Sequence, residues 1–516
     1  MKEKNKKKIL IIVLAVIIVI VIAVLILTWG NLFGKDKGKT GDSPTVVPER
    51  TESAYKISSN SLENFDLSFL QLENKEENKI YSPLSIKYAL EMLKDGTNGT
   101  SKAQIDSVIG DYEAKKYDNN EHMSFANAIF IKDSYKKYVN SDYIDNLLAK
   151  YNADVIFDSF QNANNLNSWV SDKTFQLVNN LFSDVSNQDY ILVNALAIDM
   201  EWKKMIQATT NNYEDMFSVS YDHENFGMGI SLIEGDEYSS LEFNNGEVNA
   251  KAVEIGAAIN NYDIVNELGE DNIRKEVGEA YEQWIADGAD GCTYEPNTDV
   301  YLDSYIKEID SNYKKYEAST DFMFYDDENV KAFAKDLKEY DGVTLQYIGI
   351  MPKKSDLSSY IENIEANQIN DIITNLKEIT PENFKEGVVT KITGYIPLFK
   401  FEYELSLMDD LKELGITDVF NSDKADLSNM VEDEKAFINS ASHKANIEFS
   451  NEGIKAAAAT SFGGLGGASC EFVYNYDVPV ETIDLTFDNP YLFLIRDKDT
   501  GEVWFVGTVY EPISQD

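Results

Sequence analysis

The sequence predicts an α+β fold, because its helix-forming and strand-forming segments are grouped and do not alternate. Residues 60–205 mix amphipathic patterns of 3.6-residue period with short β-rich runs at 125–131 and 190–198. Residues 340–512 carry a succession of strands at 343–350, 395–401, 444–449, 483–487, 492–496 and 503–509. The last two flank Asp497-Lys498-Asp499-Thr500-Gly501, which reads as a hairpin turn. A regular helix–strand alternation would argue for a doubly wound parallel sheet, and none is present.

Ahead of that domain, residues 9–27 are uninterruptedly apolar, and Thr28 and Trp29 extend the run. At 1.5 Å per residue such a helix crosses a hydrocarbon layer of ~30 Å. Lys2, Lys4, Lys6, Lys7 and Lys8 precede it, which by the positive-inside rule holds the N-terminus in the cytoplasm. A cleaved signal peptide would have a shorter apolar region and a small-residue cleavage site, whereas this run enters Trp29-Gly30-Asn31-Leu32. The expected organisation is a cytoplasmic tail (1–8), a transmembrane signal anchor (9–29), a flexible linker (30–55) and an extracytoplasmic domain (56–512). The linker is rich in Gly, Lys, Asp, Ser and Pro and has little to bury.

Hydrophobic residues make up 43% of the 516 and aromatic residues 12%, enough for a sizeable core. The formal charge of −43, from 46 Lys+Arg against 89 Asp+Glu, repels phosphate backbones and argues against a nucleic-acid partner. Catalytic and metal chemistry find no foothold. The three histidines, His122, His223 and His443, belong to no H-E-x-x-H, and there is no paired C-x-x-C, no phosphate loop and no G-x-S-x-G elbow. The Gly463-Gly464-Leu465-Gly466-Gly467 run lacks the Lys-Ser/Thr that a phosphate loop needs. No enzyme activity, metal or cofactor is expected.

Residues 220–319 stand apart. They hold a helical stripe at Ile273, Val277, Tyr281 and Trp284, a second at Leu302, Ile306, Ile309 and Tyr313, and a turn-rich stretch between them. An inserted helical subdomain is the simplest account. Cys292 and Cys470 are the only cysteines, so no disulfide framework holds the fold. Two free thiols are expected, with a single bridge as the alternative.

Several blocks, in order, carry a family resemblance. They are Tyr81-Ser82-Pro83-Leu84-Ser85-Ile86 with Ala89-Leu90 and Met92-Leu93, then Phe125-Ala126-Asn127-Ala128-Ile129-Phe130, then Asn167-Ser168-Trp169-Val170 with Thr174. Leu192-Val193-Asn194-Ala195 with Trp202 follows, and Phe487-Asp488-Asn489-Pro490-Tyr491-Leu492-Phe493 and Phe505-Val506-Gly507-Thr508-Val509 close the series. This pattern resembles the serpins, inhibitors that trap peptidases by inserting a loop into their own central sheet. It covers about residues 60–219 and 320–512. The resemblance implies three β-sheets with surrounding helices and a mobile reactive centre loop, here in a membrane-anchored, bacterial-type member with an inserted subdomain. It also implies a monomer whose partner is a target peptidase.

The functional signature is the hinge Gly453-Ile454-Lys455-Ala456-Ala457-Ala458-Ala459-Thr460, ten residues after His443. An alanine run by itself favours a helix. The family reading rests on the glycine-rich stretch after it and the histidine spacing before it. A loop entering between two strands must present small side chains inward, and Ala456, Ala458 and Thr460 satisfy that. About fifteen new ladder residues, at ~0.5–1.5 kcal/mol per hydrogen bond, release on the order of 10–20 kcal/mol. That suffices to distort a covalently attached serine or papain-like cysteine endopeptidase. By the same resemblance Ser82, Ser85, Asn194 and His443 form the shutter where the sheet opens, and Trp202 lies at its upper breach.

Two departures bear on mechanism. Ile454 and Lys455 stand where the family usually has Thr or Ser and Glu. From Gly453 to Pro490 the chain is about a dozen residues longer than the family pattern. Counted from the hinge, the scissile bond falls at Gly467-Ala468, with Cys470-Glu471 as an alternative; counted back from Pro490, it falls near Pro479-Val480. The hinge count is preferred because insertion length is set from that side. The alternative function is a non-inhibitory surface binding protein on the same fold.

Overall fold

The computed structural model describes residues 62–206, 238–289, 294–432, 436–441, 443–454, 472, 474 and 476–515. The expected anchor, the linker and the first residues of the domain lie outside the described residues. Among the described residues no helix is long and apolar enough to cross a membrane.

Among the described residues the strands form four hydrogen-bonded sheets, two of which are the halves of one central layer. One is seven-stranded, in the order Lys79–Tyr81 (β1), Val503–Val509 (β19), Tyr491–Asp497 (β18), Leu345–Pro352 (β11), Val330–Asp336 (β10), Met323–Asp326 (β9) and Lys377–Glu378 (β12). A second runs Val480–Asp484 (β17), Val389–Pro397 (β13), Val248–Asn260 (β7) and Ser239–Phe243 (β6), with Lys315–Ala318 (β8) also on β7. The third and fourth are the two halves of that layer, the central sheet. Asp154–Asp158 (β3), Met123–Lys132 (β2) and Tyr190–Ile198 (β4) form one half. Met200–Glu201 (β5), Gly453–Ile454 (β16), His443–Phe449 (β15) and Phe399–Leu405 (β14) form the other. Only Asp199 separates β4 from β5, so one chain path belongs to both halves.

The segment expected as one strand at 395–401 is two strands in different sheets. Pro397 has no N–H for a continuing ladder, and β13 ends there. Leu398 donates its N–H to Lys251 and accepts from Ile513, each at 2.8 Å, and β14 starts at the next residue. Two helices matter below: Asn64–Leu72 (α1) and Pro83–Gly96 (α2), the latter buried on nearly every side beneath the central sheet. Ser82 caps α2, its Oγ accepting from Ser85 N at 3.0 Å, and Pro83 occupies the first helical position, where its missing N–H costs nothing. The opposite face of the central sheet is covered by Asn164–Lys173 (α3). Its Leu166 and Val170 pack with Ala128, Phe130, Ile191 and Val193 of β2 and β4.

Within the 220–319 segment, residues 239–260 are strands β6 and β7 of the second sheet, and 207–237 lie outside the described residues. Among the described residues of this segment, the helices are Ile264–Leu268 (α4), Glu270–Ala286 (α5) and Thr298–Ser311 (α6), and Lys315–Ala318 is strand β8. Both expected stripes lie on these helices, with Ile273, Val277 and Tyr281 buried from α5 and Leu302, Ile306 and Ile309 from α6. Tyr313 falls beyond the end of α6.

Candidate functional site

The site is the seam between β4 and β15. Among the described residues these strands are not laddered to each other: β4 pairs with β2 only, and β15 with β14 and β16. Two cavities lie along the seam. The upper is lined by Leu196 and Ile198 from one edge, Asn446, Ile447 and Glu448 from the other, and Ile454. The lower is lined by Asn194 and Ala195 opposite His443 and Ala445, with Ser85 at its floor. Two strand edges that are not laddered to each other among the described residues, with cavities between them, have the geometry of a slot for a strand.

The top of that slot is already occupied. Ile454 pairs with Phe449 of β15 and with Met200 of β5, and Gly453 pairs with Glu201. A tight turn delivers this two-residue strand: Ser450 N donates to Gly453 O at 3.0 Å, and Ser450 Oγ accepts from Glu452 N and Gly453 N at 3.3 Å. Gly453 is required by space, since a Cβ there would lie 2.2 Å from Met200 O and 2.7 Å from Glu201 Cα. Ile454 is 2% exposed and points inward, so its bulk, unusual for the family, is accommodated. Trp202 clamps the turn from above, with its N–H donating to Glu452 O at 2.8 Å and Nε1–H to Ser450 O at 2.9 Å. Its ring meets Phe449 edge-on at 5.4 Å. Lys455, Ala456, Ala457, Ala458, Ala459, Thr460, Gly467, Ala468, Cys470 and Glu471 lie outside the described residues, as does Cys292.

At the floor, the four residues expected at the shutter, Ser82, Ser85, Asn194 and His443, are linked by hydrogen bonds. Ser82 N–H donates to His443 Nε2 at 2.9 Å, and Ser85 Oγ–H donates to Asn194 Oδ1. The His443 ring therefore offers a lone pair here and is neutral; burial lowers its pKa to about 4. Sequence reasoning missed a fifth member, Asn127. Asn194 Nδ2 donates to Asn127 Oδ1 at 2.6 Å, and Asn127 Nδ2 to Tyr151 O at 3.1 Å. A readable signal existed, because Asn127 and Asn194 are amides set in apolar strands and pair directly across β2 and β4. The cover of the seam was also missed: Val178, Leu181 and Phe182, from the segment after α3, line the lower cavity. Thr174 shapes that segment, its Oγ1 accepting from Val178 N at 3.1 Å. These three side chains cover the lower cavity along the seam.

Comparison with known proteins agrees with this geometry. The native state of tengpin, a thermophilic serpin, superposes with a TM-score of 0.56 at 21% identity, over 89% of this chain and 97% of tengpin. Thyroxine-binding globulin in complex with thyroxine superposes with a TM-score of 0.55 at 16% identity, over 87% of this chain and 98% of that one. In sequence, human leukocyte elastase inhibitor is 31% identical over 225 residues, 41% of this chain and 55% of that protein. A serine protease inhibitor of Cyanea capillata is 29% identical over 195 residues, 38% of this chain and 46% of that protein. The chain thus spans about half the length of these curated relatives. The family model for serpins (serine protease inhibitors) matches residues 62–225 and 313–512, and the interval between them holds β6, β7 and α4–α6. By that match, more than half of its length, and by the divided central sheet, the chain belongs to the serpin family.

Proposed function

We propose that this protein is an inhibitor that traps a serine or papain-like cysteine endopeptidase by cleavage of its loop and insertion of the cut segment into the seam. The observation that carries this reading is the unladdered pair of edges, β4 and β15, with Gly453 and Ile454 already laddered between Phe449 and Met200–Glu201. Counting by twos from the inward Ile454, the next side chains on that face are Ala456, Ala458 and Thr460, small enough to follow it. The relatives named as elastase and serine protease inhibitors support the same activity. The reading extends to a single-pass membrane protein, held by residues 9–29, whose monomeric inhibitory domain faces out of the cytoplasm. The attacked bond is placed at Gly467-Ala468.

The test uses the domain beginning at Ala54 against a panel of endopeptidases. A complex that survives SDS is expected with at least one serine or cysteine enzyme, and the loop-cleaved protein should melt well above the intact form. Ala458→Arg should be cut without trapping, because a charge would have to be buried in the sheet. Identical melting of cut and intact protein would remove the driving force and leave the second reading, a binding protein. That reading has one support: thyroxine-binding globulin shares the fold.

A further inference from the structure

The stretch Phe472-Val473-Tyr474-Asn475-Tyr476-Asp477-Val478 alternates large apolar or aromatic residues with smaller or polar ones. In an extended chain that period of two places Phe472, Tyr474, Tyr476 and Val478 on one face. That face is seated on the inserted helices. Tyr476 and Val478 are buried in one cluster with Ile264, Ile273, Val277, Leu302, Ile306 and Ile309. Phe472 meets Tyr281 edge-on at 5.2 Å and Tyr301 edge-on at 6.0 Å, and it lies 5.7 Å from Trp284. Tyr281 and Tyr301 themselves stack, ring centroids 3.7 Å apart, which presents α5 and α6 as one aromatic surface. Tyr474 Oη donates to Glu276 Oε2 at 3.3 Å. The docked stretch then runs into β17, where Val389 N donates to Pro479 O at 2.9 Å.

We propose that the α4–α6 module is a specificity element. It holds Phe472, Tyr474, Tyr476 and Val478, so that a peptidase can attack bonds upstream of Phe472 and is denied those in the stretch these side chains anchor. A peptidase must draw several consecutive residues into its cleft, and here that would mean pulling Phe472, Tyr476 and Val478 out of the module. Seventeen residues, 455–471, separate Ile454 in the sheet from Phe472 in the cradle. The surplus length of the loop is therefore downstream, docked on the insertion, and the hinge-side count of the scissile bond follows. Insertion after a cut at Gly467-Ala468 leaves the docked segment in place.

Chymotrypsin, which cuts after large apolar residues, tests this on the domain beginning at Ala54. N-terminal sequencing of early fragments should show cuts after Phe462 or Leu465, with those after Phe472, Tyr474 and Tyr476 at least tenfold slower. Tyr301→Ala removes a ring that holds Phe472 and should bring cutting after Phe472 and Tyr474 to within about twofold of that after Phe462. Should Tyr301→Ala fail to fold, Phe472→Ser undocks the segment from the loop side and exposes the bond after Tyr474. Wild-type cutting after Tyr474 as fast as after Phe462, or an unchanged pattern in the folded variant, overturns the proposal. The map reads access to the chain whether or not any peptidase is trapped. Only its meaning for target choice rests on the inhibitory reading.

Discussion

His443 closes the floor of the seam with a neutral ring, and that makes the seam sensitive to acid. Its pKa in the folded protein is about 4, against 6.5 for an ordinary imidazole, because burial disfavours the charged form. Between those values the unfolded chain binds a proton that the folded protein does not. The stability held by the neutral ring is therefore complete above about pH 6.5 and is lost as pH falls toward 4, by about 3 kcal/mol across the window. Asp410 acts in the opposite direction: burial, then Glu73 and two neighbouring acids, raise it to about 6, so acid favours its folded form. The informative quantity is thus the stability difference between wild type and His443→Gln, measured by thermal melting from pH 7 to pH 4. That difference should shift by about 3 kcal/mol in favour of the variant as pH falls. A difference that stays flat would mean that His443 is not held neutral. A protonated ring can no longer accept from Ser82 N–H, so acid should also loosen the seam itself.

At the scale of elements, α1, α2 and β19 are pinned by charges that no pattern in the sequence announces. Lys87 of α2 lies 3.3 Å from Asp66 of α1 and 2.9 Å from Glu502, the residue before β19, and all three side chains are fully buried. Burial pulls the Lys87 ammonium down, but the two carboxylates outweigh it and leave it raised; burial likewise raises Asp66 and Glu502. One cation between two acids leaves them dependent on it. Lys87→Met should cost about 3–5 kcal/mol in urea denaturation, as expected for stranding a buried partner. A loss below about 1 kcal/mol would show that the acids simply take up protons. These three residues, 21 and 415 positions apart along the chain, could not be joined from one sequence. Local pattern could be read: β4 and β19 lie where their apolar runs lie, and α5 and α6 follow their stripes. Ser82, Ser85, Asn194 and His443 were singled out by resemblance and the structure joins them by hydrogen bonds, whereas Asn127 required the register of β2 on β4. The alternation from Phe472 to Val478 was equally present, but its partners lie some 170–200 positions earlier, and without them it reads as surplus loop.

For the whole molecule, under the inhibitory function proposed above, the docked segment also bears on whether the uncut protein keeps its loop out of the seam. The geometry of this chain opposes uncut insertion. Residues 455–467, laid into the seam, would descend roughly 40 Å at ~3.3 Å per residue. The four residues left before Phe472 span at most about 14 Å, far too little to return to the cradle. If residues 472–479 leave the module, the returning stretch 468–479 reaches about 40 Å, close to what is needed with β17 still in its sheet. Release of the docked segment is then the step that permits full insertion without cleavage. Tyr301→Ala and Phe472→Ser should therefore convert to a higher-melting, uncut and inactive form at least tenfold faster than wild type at a temperature just below melting. Mass spectrometry would verify that the chain is intact, and loss of trapping would follow the conversion. Equal rates in the variants and wild type, with the segment shown undocked by its new chymotrypsin cuts, would place the barrier elsewhere, with the seam's own cover, Val178, Leu181 and Phe182, as the next region to vary.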